Sequence, residues 1–401
     1  MSDESWLVSV RVIFNEQKEG EMMSKNLNDY VTLGRSGLKV SPVCLGTMTF
    51  GNDWGWGSEE EVARPIFERY MDAGGNFIDT ADGYTQGHSE ELVGKFISER
   101  DLRDRVVLAT KFTLNAEPGN PNAGGNGRKN IYRALEGSLR RLKTDYIDLY
   151  WLHAWDTVTP VEEVVSTLND LVRAGKIRHY GFSDTPAWYV ARAQTLAEKE
   201  GKERLVALQL EYSLVQRSIE REHVPVAQEL GLGICPWSPL AGGFLSGKYQ
   251  RRGNTGQGEG RLEITKDIPN PNFQRFTESN WRILDVVIEV AKQIERPPAQ
   301  VALNWAATQP GITSMIIGAS KPDQLEENLR FAEFEIPTEL RRGLDEVSAL
   351  ESIHPYAFFE PGMQGMISGG TRVVPWSPAR VYAPPSQEAS GVQARAATAT
   401  K

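Results

Sequence analysis

From Val43 to Ser320 the chain carries eight short, β-branched apolar runs, with longer amphipathic stretches between most of them. A strand followed by a helix returns the chain to start a parallel neighbour, so this alternation constrains the fold more than any other feature. The runs are "VCLGT" (Val43 to Thr47), "FIDTA" (Phe77 to Ala81), "VVLATK" (Val106 to Lys111) and "YIDLYWLH" (Tyr146 to His153). "RHYGFS" (Arg178 to Ser183), "VALQLEY" (Val206 to Tyr212), "GICPWS" (Gly233 to Ser238) and "MIIGAS" (Met315 to Ser320) complete the set. Eight such units predict an α/β chain closed into a (β/α)8 barrel.

Helices are expected over Glu59 to Ala73, Ser89 to Arg100, Lys129 to Leu142, Val161 to Ala174, Ala187 to Glu200 and Glu220 to Leu230. The stretch from Ser279 to Thr308 must be divided by Pro297 and Pro298, and a last helix is expected near Pro322 to Phe331. Gly74, Gly75, Gly175 and Gly231 stand where helices end. "YVTLGRSGLKV" (Tyr30 to Val40) reads as a hairpin closing the barrel floor. No strand is followed by G-x-G-x-x-G, which argues against an open dinucleotide-binding sheet. The glycine clusters at Gly124 to Gly127 and Gly256 to Gly260 read as flexible loops.

The chain has 401 residues, enough for a barrel with insertions, and its net charge of −9 disfavours nucleic acid as a partner. Cys44 and Cys235 are the only cysteines, far apart in sequence and in no metal-ligand spacing, so no metal site is expected and a reducing cytoplasm fits best. No apolar stretch approaches the roughly 20 residues that span a bilayer. Residues 1–29 read as an extension, with Met23 a plausible second start, and 377–401 as a disordered tail. That leaves 30–350 for the barrel and 351–376 as its C-terminal segment.

Barrel chemistry sits at the C-terminal ends of the strands. Asp79, Lys111 and His153 end the second, third and fourth strands there. Side chains alternate with period two, so Asp79 shares a face with Phe77, Lys111 with Val107 and Ala109, and His153 with Leu149 and Trp151. If those apolar partners fill the barrel, the three polar groups meet at its mouth, with Tyr84 in the loop above. Alone, each has a bland alternative: a capping aspartate, a lysine reaching to solvent, a satisfied core histidine, a surface tyrosine. Together they suit general-acid work on a carbonyl. A phenol with a pKa of about 10 donates poorly, and an adjacent ammonium should lower it. Asp79 would hold Lys111 charged, and His153 would orient the substrate oxygen or pass the proton.

With these residues in hand, the chain resembles the aldo-keto reductase family, in the branch with bacterial general reductases and potassium-channel β subunits. "NFIDTADGY", "LATKF", "RRLKTDYIDLYWLH", "GKIRHYGFS", "CPWSPLAGGFLSGKY" and "IIGASKPDQLEENL" carry the resemblance, over about Tyr30 to Leu350. It implies the same barrel, a catalytic tetrad of Asp79, Tyr84, Lys111 and His153, and an extended nicotinamide cofactor at the mouth. It also implies contacts to that cofactor from Thr47, Met48, Asp79, Ser183, Asp184 and Gln209, with Trp237 stacked on the nicotinamide. Ser238, Pro239, Leu240, Gly242 and Lys248 would line the pyrophosphate, and the connection from Ala241 to Ser279 could close over it. Gly318, Ser320, Lys321, Gln324, Glu327 and Asn328 match the adenosine end, and a 2′-phosphate site at Ser320 and Lys321 favours NADPH over NADH. Asp184 stands where many relatives carry asparagine, and Gln324 where some carry arginine.

The implied activity is NADP-dependent reduction of an aldehyde or ketone, or the reverse alcohol oxidation, on a small-molecule substrate. A cofactor-sensing binding subunit is the alternative of another class. A barrel glycosidase would want paired carboxylates where this chain has His153, Trp237 and Ser238. Trp54, Trp56, Trp155 and Trp188 are expected near the mouth, suggesting an aromatic-lined substrate pocket or, equally, a packed lid.

Overall fold

A hairpin of β1 (Val31–Thr32) and β2 (Lys39–Val40) leads into the first barrel strand. The computed structural model describes residues 26–252, 255–268, 270 and 273–371. Residues 1–25, Met23 among them, and the expected tail at 377–401 lie outside these. Of the expected N-terminal extension, 26–29 are described, and Leu27 is buried in the outer apolar shell.

The barrel strands are β3 (Val43–Gly46), β4 (Phe77–Asp79), β5 (Val107–Phe112), β6 (Ile147–Leu152), β7 (Ile177–Ser183), β8 (Ala207–Glu211) and β9 (Gly233–Trp237). After an inserted hairpin, β10 (Gln250–Arg252) with β11 (Thr255–Gln257), the eighth barrel strand is β12 (Met315–Ile317). Neighbours pair in parallel in the order β12-β3-β4-β5-β6-β7-β8-β9, and a parallel bridge between Ile234 and Ile312 brings the two ends of the ring together. All eight expected strands are present. The "GQGEG" stretch departs from a plain loop, because Gly256 lies in β11.

The helices that carry the chain between strands are α1 (Glu60–Asp72), α2 (His88–Glu99), α3 (Arg128–Arg141), α4 (Val161–Arg173), α5 (Ala187–Lys199) and α6 (His223–Leu230). A short α7 (Arg261–Ile264) follows the inserted hairpin; α8 (Glu278–Gln293) and α9 (Pro298–Ala307) flank the expected proline break, and α10 (Pro322–Leu329) and α11 (Thr338–Val347) close the unit. Its boundary is Leu350. From Glu351 the described residues belong to a second unit, with a turn over Tyr356–Phe359 and α12 (Pro361–Ile367). Among the described residues no helix is long and apolar enough to cross a membrane.

Period-two alternation sorts the strand residues into two cores. Cys44, Phe77, Val107, Ala109, Leu149, Trp151, Ala207, Cys235 and Ile316 form an inner cluster that fills the barrel, with Leu33 and Val40 of the hairpin region as its floor. Leu45, Ile78, Leu108, Tyr150, Phe182, Leu208 and Ile234 pack with the helices in the outer shell. Gly34 is required at the floor: its φ is +58°, and a Cβ there would stand 2.3 Å from the Val206 carbonyl oxygen.

Candidate active site

The inner face of β4, β5 and β6 places Asp79, Lys111 and His153 directly above the apolar plug, as the alternation requires. Asp79 is register-paired with Ala109, and Lys111 with Trp151, so acid and amine sit one step apart on adjacent strands. Lys111 is fully buried and Asp79 is 2% exposed. The ammonium donates to Asp79 Oδ2, to the Thr80 carbonyl oxygen at 2.7 Å and to Tyr84 Oη at 3.1 Å. An ammonium has three N–H groups, and all three are used. Tyr84 comes from a turn over Tyr84–Gly87, and its ring meets the His153 ring edge-on at 5.7 Å.

The electrostatics follow from burial and from that one cation. Burial works to lower the Lys111 pKa, but the charges of Asp79 and Tyr84 outweigh it and keep the amine protonated. Burial, and then Lys111, hold His153 well below the usual imidazole range, so it is neutral, and among the described residues its buried Nδ1 has no hydrogen-bond partner. For Tyr84 the sequence-based expectation of a lowered pKa is not met. Burial pushes the phenol up, and Lys111, although it pulls the other way, does not reverse the shift.

The other residues expected to hold a cofactor stand near or beyond the C-terminal ends of β3, β7, β8, β9 and β12. Thr47 is buried and donates its hydroxyl to the Asp79 carbonyl oxygen at 3.0 Å, tying β3 to β4, with Met48 half-buried beside it. Ser183 ends β7, and Asp184 follows in a left-handed conformation, φ +44°. Trp237 Nε1 donates to Asp184 Oδ1 at 3.2 Å, and Ser183 Oγ lies 3.3 Å from Oδ2. Asp184 keeps an exposed surface, yet desolvation of its carboxyl pushes it up to about 6, opposed by those two bonds and by Lys111. Gln209 is engaged too, donating Nε2 to Asp79 Oδ1 at 2.9 Å.

Beyond Trp237, Ser238 is left-handed (φ +55°) and its Oγ accepts from the Gly242 N–H at 3.1 Å, with Pro239 buried and Leu240 half-buried between them. Desolvation first, and the charge of Lys321 second, hold the Lys248 ammonium below its usual pKa. Both lysines are exposed, and among the described residues neither forms an ion pair. Two neighbouring cations without a counter-charge, one of them beside Ser320, suit a phosphate group. Ser320 Oγ is bonded to Gln324 at 3.0 Å; Gly318 and Glu327 are exposed and Asn328 is buried. An unpartnered imidazole nitrogen, an indole fixed by its N–H and an unpaired lysine couple fit an extended nicotinamide dinucleotide.

This geometry agrees with what related sequences say. A model of the aldo/keto reductase family matches residues 42–349. The chain belongs to the aldo/keto reductase family. It is 33% identical over 339 residues to an aryl-alcohol dehydrogenase of Pestalotiopsis microspora, covering 83% of this chain and 84% of that one. It is 33% identical over 355 residues to norsolorinic acid reductase B of Aspergillus parasiticus, with 86% and 88% covered. An aryl-alcohol dehydrogenase of Phanerodontia chrysosporium named for NADP(+) is 32% identical over 341 residues, with 81% and 87% covered. Like other aldo/keto reductases it is an NAD(P)H-dependent oxidoreductase.

The expected aromatic residues divide into two groups on this reductase. Trp54 meets the Tyr84 ring edge-on at 6.4 Å and lies 5.4 Å from Trp56, so both belong to the rim over the tetrad. Trp155 packs instead on Trp188 and Tyr189, beside a groove of about 230 Å³ that Val158 and Pro160 also line. Two arginines were not anticipated. Arg261 of α7 lies 5.0 Å from the Trp56 ring centre, with Tyr84 and Glu211 among the charges that act on it. Arg275 pairs with Glu211 at the end of β8, both buried, fastening the connection before α8 beside Trp237. Nothing in the local sequence marks these arginines, since each is a single basic residue in a largely polar stretch.

Proposed function

We propose that this reductase converts an aldehyde or ketone to the alcohol with NADPH, or runs the reverse oxidation, with Tyr84 as the general acid. The observation that carries the reading is that Lys111 uses its third N–H on Tyr84 Oη. Since the phenol oxygen accepts that bond, its own proton is left for a substrate oxygen at the mouth. As the proton leaves, negative charge develops beside a fixed, buried cation, where it is stabilised most. Asp79 keeps that cation charged and in place. His153, neutral, offers a second polar contact to the same substrate oxygen without changing its own protonation.

When bound, the nicotinamide supplies the hydride that the carbonyl carbon accepts. Ser183, Asp184, Gln209 and Trp237 would hold its ring, and Ser238, Gly242 and Lys248 its phosphates. Ser320 and Lys321 favour a 2′-phosphate, and the relative named for NADP(+) supports that preference. Relatives named as aryl-alcohol dehydrogenases and norsolorinic acid reductases, together with Trp54 and Trp56 at the rim, support a bulky aryl carbonyl as substrate. Two buried free cysteines suit a reducing cytoplasm.

Absorbance of NADPH followed against aryl aldehydes, aryl ketones and short aliphatic carbonyls tests the reading, with the aryl compounds expected to turn over fastest. Tyr84→Phe should lower turnover by on the order of 10²-fold to 10⁴-fold while NADPH binding is retained. A variant running at the wild-type rate would assign proton donation to another group.

A further inference from the structure

Beneath the turn that carries Tyr84 lies a buried charge cluster that the proposed chemistry does not use. Asp82, two residues before Tyr84, is 5% exposed, and among the described residues neither of its carboxyl oxygens has a well-formed hydrogen bond, the adjacent Gly83 amide being the one backbone donor that acts on them. Glu90 of α2 faces it, completely buried, and accepts from Thr110 Oγ1 at 2.5 Å and from Arg141 Nε at 2.6 Å. From α3, Arg141 and Arg133 face the same carboxyl, and from β6 so does the buried Tyr150. Arg133 is already bonded to Asn130 Oδ1 and to the Ala123 carbonyl oxygen.

The turn above this cluster is held against its own backbone preference. Thr85, Gln86 and Gly87 are consecutively left-handed, at φ +44°, +58° and +97°. Such conformations persist only where surrounding contacts impose them. Arg141 is one of those contacts: a Cβ on Gly87 would stand 2.8 Å from Arg141 Cδ and 2.9 Å from its Nε. The same arginine therefore pairs with Glu90 and closes against the last residue of the Tyr84 turn.

We infer that Asp82 is a positioning residue for Tyr84, which leaves Arg141 seated under the turn while its carboxyl is neutral and draws Arg141 away when it ionises. The inference rests on Tyr84 being the acid. Glu90 already takes the Arg141 Nε–H and Arg133 is held by Asn130 and the Ala123 carbonyl oxygen, so an ionised Asp82 competes with Glu90 for Arg141. Burial first, and then the charge of Glu90, push Asp82 up to about 7, with Arg141, Arg133 and the Gly83 amide opposing. The device thus switches near neutrality, where Tyr84 keeps its proton, Lys111 its charge and His153 its neutrality.

The test is the pH profile of kcat for carbonyl reduction under saturating NADPH. In the wild-type enzyme kcat should fall between about pH 6 and about pH 8, with a midpoint near the Asp82 value. The fall should be about tenfold, short of the roughly 10²-fold that a full 1 Å misplacement of a reacting group can cost, while KM for NADPH stays level. Asp82→Asn, neutral at every pH, should hold its low-pH rate across the window. Glu90→Gln, which removes the charge that raises Asp82, should move the midpoint down, and it keeps the question open to experiment if Asp82→Asn does not fold. A flat wild-type profile overturns the inference. So does a step that survives in Asp82→Asn or keeps its midpoint in Glu90→Gln, because it would then belong to another carboxyl such as Asp184 or Glu211. Tyr84→Phe in the same assay separates the two levels: an active variant removes the acid and the inference together, whereas an inactive one beside an unaltered Asp82→Asn profile removes the inference alone.

Discussion

Gln209 donates Nε2 to Asp79 Oδ1 at 2.9 Å, across 130 residues of chain, so both oxygens of the buried carboxylate are occupied, one by Gln209 and one by Lys111. Gln209→Leu would leave Oδ1 without a donor in a place with little access to water. Removing one partner from a buried acceptor costs about 1–3 kcal/mol. The urea midpoint should drop accordingly, and turnover should drop as well, because Asp79 no longer has a fixed orientation toward Lys111. A variant as stable and as fast as the parent would show that Oδ1 is served by water.

Lys111 should be the most costly residue of the site to truncate. Lys111→Met strands Asp79 as an uncompensated buried charge, and breaking such a pair destabilises by about 3–5 kcal/mol. Removing both charges, in Asp79→Leu with Lys111→Met, should recover most of that loss in a denaturation series. Activity should be absent from both variants, since neither keeps a cation hydrogen-bonded to Tyr84. Equal instability of the single and the double variant would mean that packing, and not charge, sets the cost.

The sequence makes the tetrad legible because two simple periodicities coincide. Alternation along β4, β5 and β6 puts Asp79, Lys111 and His153 on the face of Phe77, Ala109 and Trp151, and all three apolar residues do fill the barrel. What the sequence hides depends on pairs remote along the chain: Trp237 on Asp184, Gln209 on Asp79, Arg275 on Glu211. The bond from Trp237 also gives a use to the unusual Asp184, as the acceptor that fixes the indole. The direction of the Tyr84 shift is hidden for a related reason, since burial is a property of the assembled fold and outweighs the neighbouring charge. Helix α11 lies outside the expected elements although Leu340, Leu344 and Val347, at i, i+4 and i+7, form an apolar stripe that packs on the core, so the periodicity is there to be read.

Asp82 carries a stability signature independent of catalysis. Its carboxyl is raised from 3.8 to about 7. The native state therefore holds a proton that the unfolded chain releases, and stability is complete below pH 3.8 and is lost as pH rises through about 7. Three pKa units correspond to at most about 4 kcal/mol. Asp82→Asn has no such slope, so its urea midpoint relative to the parent should rise between about pH 4 and about pH 7 and level off above. A difference that is constant with pH would place an ordinary carboxyl at this position.

Lys321 decides between the two dinucleotides if the proposed adenosine end is right. It stands exposed next to Ser320, its charge acts on Lys248, and no carboxylate among the described residues pairs with it. A phosphate placed there would gain a charge-assisted contact that a plain ribose hydroxyl does not offer. Lys321→Ala should raise KM for NADPH by about tenfold, the equivalent of roughly 1.4 kcal/mol, and leave KM for NADH within about twofold. The contrast should fade as salt is added, because an exposed ion pair is screened. Equal losses for the two cofactors would move Lys321 to the pyrophosphate, which both share, and leave the 2′-phosphate to be recognised elsewhere.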